Sequence, residues 1–343
     1  MNAILNNKTY REDMQKTLKN LCLEPLANKS VMVTGGLGLI GSAVVDLLYA
    51  AGLGIRIYVA DINEPFFQTR YGDIPNIIYV KYDALKPIAF DVPLDYIIHG
   101  AGLASPELYV AKPVETMLSN FDGVHRLLSY AEQKKVKRLL YISSSEVYGN
   151  KTTEDPFAED VFGGSSVNQV RASYAEAKRA SEVLCRAYSS EYGVETVIVR
   201  PGHIYGPTAS PNDQRISSAF AFAAARGKTL EMKSAGLQQR SYCYALDCAA
   251  AILTVLLNGA VGESYNIGHD EVTTVRRMSE ILAKAGKVKL IVSEPTEAEL
   301  KQFNPMTNSS LDNQKIKQIG YRDSFTAEEG LSHTVRILKE LYV

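Results

Sequence analysis

Between Lys29 and Arg200 the chain alternates short β-branched runs with stretches of helical periodicity, and few folds accommodate that rhythm. The runs are Val31–Thr34, Ile55–Ala60, Ile77–Tyr82, Tyr96–His99, Arg138–Ser143 and Thr196–Arg200. They predict βαβ units and an α/β fold, a doubly wound parallel sheet covered by helices on both faces. After Pro201 the rhythm breaks into a Pro/Gly/Asn-rich loop from Gly206 to Asp213, then a helix-like Ile216–Arg226, with a further strand expected at Ser264–Ile267. A chain of 343 residues also exceeds the roughly 250–300 at which one core stops growing. Two parts are therefore expected: a sheet domain over residues 28–204 with a return of about 241–268, and a second, smaller C-terminal lobe from 205–240 and 269–343. Residues 1–27 read as an appended amphipathic helix, with Tyr10, Met14, Leu18 and Leu21 at three- and four-residue spacing, whose role is packing.

Composition narrows the function. Lys+Arg 37 against Asp+Glu 38 gives a net charge of −1, which excludes the basic bias of a nucleic-acid binder. No run approaches the ~18 apolar residues of a membrane span. Lys8, Arg11, Glu12, Asp13 and Lys16 interrupt any signal-peptide core, so a cytoplasmic protein without a membrane partner is expected. Cys22, Cys185, Cys243 and Cys248 form no C-x-x-C pair and the five histidines lack ligand spacing, so buried reduced thiols and no metal are expected. The cluster Lys134, Lys135, Lys137 and Arg138 sits at a helix end, where cations complement the dipole.

The first run leads into Gly35-Gly-Leu-Gly38-Leu-Ile-Gly41. Glycines between a strand and a helix allow a tight turn and close approach of backbone to a pyrophosphate, whose oxygens meet the unpaired N–H groups near Leu39 and Ile40. Asp61 follows Gly41 by 20 residues at the end of the second run, the spacing of a ribose-binding carboxylate in a Rossmann domain. It would accept from both ribose hydroxyls of NAD and repel the 2′-phosphate of NADP. Asp83, ending the third run, stands where an adenine-contacting carboxylate lies in such folds.

Tyr174-Ala-Glu-Ala-Lys178 places a phenol and an ammonium four residues apart on one helix face. Bringing a phenol from ~10 to ~7 takes about 4 kcal/mol of preferential phenolate stabilisation, which a neighbouring Lys⁺ and a positive nicotinamide ring can provide. The hydroxyls of Ser143-Ser144-Ser145-Glu146 leave the carboxyl end of the fifth run, where open α/β sheets bind ligands.

These pieces, with HGAGLASP at 99–106, Asn120, RPGHIYGP at 200–207, RSYCYALD at 240–247 and YNIG at 265–268, resemble the extended short-chain dehydrogenase/reductases of the nucleotide-sugar epimerase/dehydratase/decarboxylase group over about residues 28–330. The resemblance implies NAD as cofactor, with Ala101 and Pro201 beside the glycine loop, and a nucleotide-diphosphate sugar as substrate. Tyr174 would remove a hydroxyl proton while hydride leaves the sugar, Ser144 would bond the same oxygen, and Lys178 would hold the nicotinamide ribose and bias Tyr174 toward phenolate. Ser145, His203, Arg215 and Arg240 would contact the substrate, the two arginines clamping the diphosphate. A homodimer through helices near Asn120 and Tyr174 is also implied.

In the family's 4,6-dehydratases an Asp precedes the glutamate that Glu146 matches, and it protonates the departing hydroxyl. Here Ser145 stands in its place, the pattern of UDP-glucuronate decarboxylases, so decarboxylation ranks above dehydration with epimerisation close behind. Two departures keep a net NAD(P)H-dependent reductase of a CDP-linked ketose open as an alternative: His203 replaces an Asn common in relatives, and Met306–Lys315 lacks an Arg they often carry. A catalytically silent nucleotide-binding scaffold is the remaining alternative, opposed by the intact Ser144, Tyr174 and Lys178.

Overall fold

A computed structural model describes residues 3–150, 154–161, 163–164, 167–294 and 306–342. Two short helices, α1 (Ala3–Asn6) and α2 (Lys8–Leu18), precede β1 (Ser30–Thr34), α3 (Leu39–Ala50), β2 (Arg56–Asp61), α4 (Glu64–Tyr71), β3 (Ile77–Lys81) and β4 (Tyr96–His99). There follow α5 (Pro106–Ala111), α6 (Pro113–Gln133), β5 (Arg138–Ile142), α7 (Ser173–Tyr192), β6 (Thr196–Pro201), β7 (His203–Tyr205), α8 (Ile216–Ala225), β8 (Leu230–Met232), β9 (Gln239–Arg240) and β10 (Tyr242–Tyr244). The chain continues through α9 (Ala245–Asn258), β11 (Ser264–Ile267), β12 (Thr273–Thr274), α10 (Val275–Gly286), β13 (Leu290–Val292), α11 (Gln314–Gln318) and α12 (Ala327–Tyr342).

Among the described residues β11-β6-β5-β4-β1-β2-β3 form one seven-stranded sheet with every neighbouring pair parallel, the expected doubly wound architecture. Strand order reverses at β1, where a crevice opens at the carboxyl ends. All five residues of β1 are buried because helices cover both faces. Val31 and Val33 join a core with α3 and α9, whereas Met32 joins another with Val124 and Leu127 of α6. Each side chain so enclosed is stabilising by about 1.5–3 kcal/mol. The expected strand boundaries agree to within one residue. Small two-stranded pairings, β7 with β10, β9 with β12 and β8 with β13, lie outside this sheet.

The N-terminal segment packs as two helices and a 3₁₀ turn, with α2 against α3, α9 and α12. Asp46 of α3 is fully buried and accepts from Tyr10 Oη (2.7 Å), Arg70 Nη2 (2.6 Å) and Tyr71 Oη (2.7 Å). A buried carboxylate requires such donors, and α2 supplies one of them. One turn on, Asp13 accepts from Tyr244 Oη of β10 (3.0 Å) and pairs with His333 Nδ1 of α12 (2.9 Å). The helix stops at Leu18, and a separate 3₁₀ turn, Glu24–Leu26, carries Pro25.

Cys185, Cys243 and Cys248 are buried and free as expected, but Cys22 is exposed, because it lies in the link after α2 and not in a packed helix. The basic cluster is neutralised at the end of α6, with Lys134 on Asp91, Lys135 on Glu132, Lys137 on Asp95 and Arg138 on Glu195. Among the described residues no helix is long and apolar enough to cross a membrane.

Arg70→Met strands the Asp46 carboxylate in the interior and should cost about 3–5 kcal/mol in urea unfolding. Lys16→Ala, which removes the exposed partner of Glu329, should cost about 0–1 kcal/mol by the same measurement.

Candidate active site

At Gly35, Gly36 and Gly41 the turn from β1 into α3 has no room for a side chain. A Cβ on Gly41 would lie 2.2 Å from the Gly35 carbonyl oxygen and one on Gly36 2.9 Å from that of Val33, while Gly35 has φ +67° against the backbone of Ala101. Gly38 begins α3 without a side-chain cap, so the first-turn N–H groups at Leu39, Ile40 and Gly41 face an anion site. Ala101 is fixed by its N–H on Thr34 Oγ1 (3.1 Å), which also accepts from Gly100 N (3.2 Å). Pro201 closes β6 opposite Ile267.

Asp61 ends β2 beside this turn. Its Oδ2 accepts from Leu37 N (3.2 Å) and its Oδ1 from Ile62 N (2.8 Å), so the carboxylate is oriented by the loop it faces. Asp83 lies two residues beyond β3, accepts from Leu85 N (3.0 Å) and sits 3.7 Å from Lys86, at the far edge of the sheet. A cradle closed to a Cβ at Gly36 and Gly41, an uncapped helix start and a carboxylate at the second strand end fit a dinucleotide.

Ser144 caps the 3₁₀ turn Ser145–Tyr148, its hydroxyl accepting from Glu146 N (3.2 Å). The fold brings it to Tyr174, hydroxyl to hydroxyl, whereas Glu146 is exposed and Ser145 half-buried. Tyr174 and Lys178 are both buried, one turn apart on α7. Lys178 Nζ donates to the Ile142 carbonyl (2.8 Å) and stands 4.7 Å from the ring centre of Tyr141 and 5.8 Å from that of Tyr174.

Electrostatics in the bare protein oppose the expected bias. Burial pushes the Tyr174 phenol well above its ordinary value, with the Ser144 hydrogen bond pulling the other way and Glu146 pushing it further up. Burial also lowers Lys178 to about 7, partly offset by Glu182 one turn along the helix. Residue type and spacing indicate which groups meet, but not that the meeting place is dry.

Two neighbours lie outside the residues that the sequence points to. Tyr109 of α5 stacks on Tyr174 with centroids 5.1 Å apart and planes at 18°, and burial raises it to about 12. Glu182 is buried beneath Lys178, accepting from Ser143 Oγ (2.7 Å) and from Arg200 Nε (2.9 Å) and Nη2 (2.7 Å). The four-residue step from Lys178 was the only cue to Glu182; Tyr109 becomes visible only once α5 is laid against α7.

The cationic side of the site gathers three residues. Arg240 is only 7% exposed, donates to the Gln239 carbonyl (3.0 Å), and has no carboxylate at ion-pair distance among the described residues. Burial lowers its pKa, the cost of a guanidinium in a dry place without an acid. His203 of β7 bonds Ser309 Oγ through Nε2 (3.1 Å) and feels both Arg240 and Arg215. Arg215 heads α8, half-exposed, and is held by Asp213, so its guanidinium is already partnered. Arg215 also acts on Tyr174, and Glu146 on Arg240, so these groups share one electrostatic neighbourhood.

Such a cradle and phenol–ammonium pair, set at the carboxyl ends of strands of one sheet, suit a pyrophosphate-linked redox ring, which makes this a dinucleotide-dependent enzyme of Rossmann architecture. The model of the NAD dependent epimerase/dehydratase family matches residues 31–268. The chain belongs to that family, is an enzyme of its extended short-chain dehydrogenase/reductase type, and uses NAD. It is 29% identical over 323 residues to UDP-glucuronic acid decarboxylase 1 of Xenopus tropicalis, covering 91% of this chain and 72% of that protein. It is 31% identical over 314 residues to UDP-glucuronic acid decarboxylase 6 of Arabidopsis thaliana, covering 89% and 87%. Among solved structures, the dTDP-glucose 4,6-dehydratase DesIV of Streptomyces venezuelae with NAD and TYD bound superposes with a TM-score of 0.75 at 26% identity, covering 91% of this chain and 97% of that one.

Asp61→Ala should narrow the preference for NAD over NADP by about tenfold or more, the worth of one charge-assisted hydrogen bond. Titrating both dinucleotides by protein fluorescence reads the ratio; an unchanged ratio would show that Asp61 does not read the ribose.

Proposed function

We propose that this enzyme oxidises a hydroxyl of a nucleotide-diphosphate sugar, decarboxylates the resulting keto acid and reduces the product, with UDP-glucuronate as substrate. The observation that carries this reading is Ser145: the residue beside Glu146 and Ser144 is no acid, and dehydration requires one to protonate the departing hydroxyl. A β-keto acid loses carbon dioxide unaided, the bonding pair of the broken carbon–carbon bond moving into the adjacent carbonyl.

NAD, when bound, would supply a reversible hydride acceptor. Gly35, Gly38, Gly41 and Asp61 would hold its pyrophosphate and ribose, with Asp83 toward the adenine, Ala101 beside the glycine loop and Pro201 at the end of β6. Tyr174 Oη takes the hydroxyl proton, and Ser144 Oγ holds the same oxygen through oxidation, enolate and reduction. Phenolate at neutral pH needs more than about 4 kcal/mol of preferential stabilisation, because Tyr174 starts above ~10. Lys178, poised near 7, is charged whenever the site gains negative charge, so substrate and phenolate recruit the cation that stabilises them. Glu146, exposed at the mouth, orients the water that returns a proton to carbon. Arg240, already desolvated, seats the diphosphate, with Arg215 and His203 beside it and Ser145 against the sugar.

UDP-, dTDP-, GDP- and CDP-sugars, UDP-glucuronate included, should be offered to the protein and the products weighed. Loss of one carbon dioxide from UDP-glucuronate is expected, with no net consumption of NAD. Loss of water, gain of hydrogen or an isomer of unchanged mass would instead select dehydratase, reductase or epimerase. Tyr174→Phe should lower turnover about 10²–10⁴-fold while NAD binding stays nearly intact.

The same reading includes a cytoplasmic homodimer. Three free buried thiols accord with a reducing compartment. Val114, Met117, Leu118 and Phe121 stand at i, i+3, i+4 and i+7 of α6, all exposed, with Val183 exposed on the adjacent α7; a second copy would cover this stripe. Sedimentation should show two chains, and Leu118→Asp with Phe121→Asp should give one.

A further inference from the structure

Lys178 is buried, and among the described residues its Nζ has one hydrogen bond, to the Ile142 carbonyl that ends β5 (2.8 Å). Tyr141, one residue earlier on β5, faces the opposite side of the sheet from Ile142 and enters the core shared with α6 and α7. Lys178 Nζ stands over that ring, 4.7 Å from its centre, and 5.8 Å from the centre of the Tyr174 ring. His99, in register with Tyr141 on β4, stacks on it with centroids 5.9 Å apart and planes at 26°. Burial, and then Lys178, hold His99 down at about 3, so this neighbour is neutral. Burial likewise keeps Cys185 a thiol and Tyr141 itself a phenol. The one carboxylate on this face of α7, Glu182, accepts twice from Arg200 (2.9 and 2.7 Å), which cancels much of its charge at Lys178. The uncharged face of Tyr141 is thus the nearest ring to the ammonium.

We propose that Tyr141 is a positioning residue for the reaction: its ring face holds Lys178 as an ammonium, so that the proton lost from the Lys178–Tyr174 pair comes from the phenol. The inference rests on the reading of Tyr174 as the base and adds the group that selects its ionised form. A pair that has lost one proton exists in two states, neutral amine with phenol or ammonium with phenolate, which differ only in where the remaining proton sits. Burial favours the first state, since it brings Lys178 down to about 7 and lifts the Tyr174 phenol above its ordinary value. The face of an aromatic ring is the negative side of its quadrupole and attracts a cation most strongly where water is excluded. It therefore stabilises the second state and leaves the first untouched. A carboxylate in the same place would also hold the ammonium, but it would repel the phenolate one turn away. The ring carries no net charge, so it supports the cation without opposing the anion.

Near-ultraviolet phenolate absorbance of the NAD-bound protein, titrated with pH in the absence of substrate, tests this without turnover. Each protein is compared with the same protein carrying Tyr174→Phe, so that the remaining tyrosines cancel and the difference reads Tyr174. The expected midpoint lies below the ordinary phenol value of ~10 in the parent and is unchanged in Tyr141→Phe, which keeps the face and removes only the hydroxyl. Tyr141→Leu should raise it by about one pH unit, a tenfold loss of phenolate at a given pH below the midpoint. A ring-trifluorinated phenylalanine in place of Tyr141 keeps the shape and weakens the face, so it should raise the midpoint in the same direction, and it decides the matter where the leucine variant does not fold. An unchanged midpoint in the fluorinated protein, or a rise in Tyr141→Phe as large as that in Tyr141→Leu, overturns the role of Tyr141 and leaves the reading of Tyr174 standing. A parent midpoint at ~10 or above overturns that reading and this inference with it.

Discussion

The contact on which the cofactor end depends is that of Gly41 with the Gly35 carbonyl, a gap that no Cβ could enter. It sets α3 hard against β1 at the point where strand order reverses, and thereby aims an uncapped helix start into the crevice. The same helix is held from behind through Asp46, which Arg70 and Tyr71 of α4 and Tyr10 of α2 bind. Thr208 Oγ1 adds a bond to the Leu39 carbonyl (2.7 Å), so the loop after β7 is fastened to the first turn of α3. The cradle is thus rigid because the polar groups around it are paired away from it.

The other half of the site follows the opposite rule. Lys178 and Arg240 are buried cations whose hydrogen bonds, among the described residues, go to backbone carbonyls and not to carboxylates. Each is costly as it stands, and each becomes favourable when negative charge arrives. Glu182 could have paired with Lys178, yet its oxygens are taken by Ser143 and Arg200. This separation of tightly paired and underpaired charges within one helical turn leaves the ammonium responsive to what binds.

Much of this was legible in the sequence. The glycine spacing, Asp61 and the Tyr174–Lys178 step are local patterns, and local patterns fix local geometry. Ser144 could be joined to Tyr174 because strand-end position is itself readable from the β-branched runs. Tyr109 and the place of Tyr10 were not readable, because each depends on where two distant helices touch, and neither breaks its own helix pattern. Protonation is not readable for a related reason: charge and spacing are written in the sequence, but desolvation belongs to the assembled interior. Arg215 shows a further gap, since the residue two positions earlier, Asp213, had already claimed its guanidinium.

Helix α2 carries Tyr10 and Asp13 on one face, the first bonded to α3 and the second to β10 and α12. A single rigid rod therefore bolts the strut behind the dinucleotide cradle to the strand that follows Arg240. Neither can slide along its axis without loading the other, so strain introduced at either end is shared across the crevice and not absorbed where it arises.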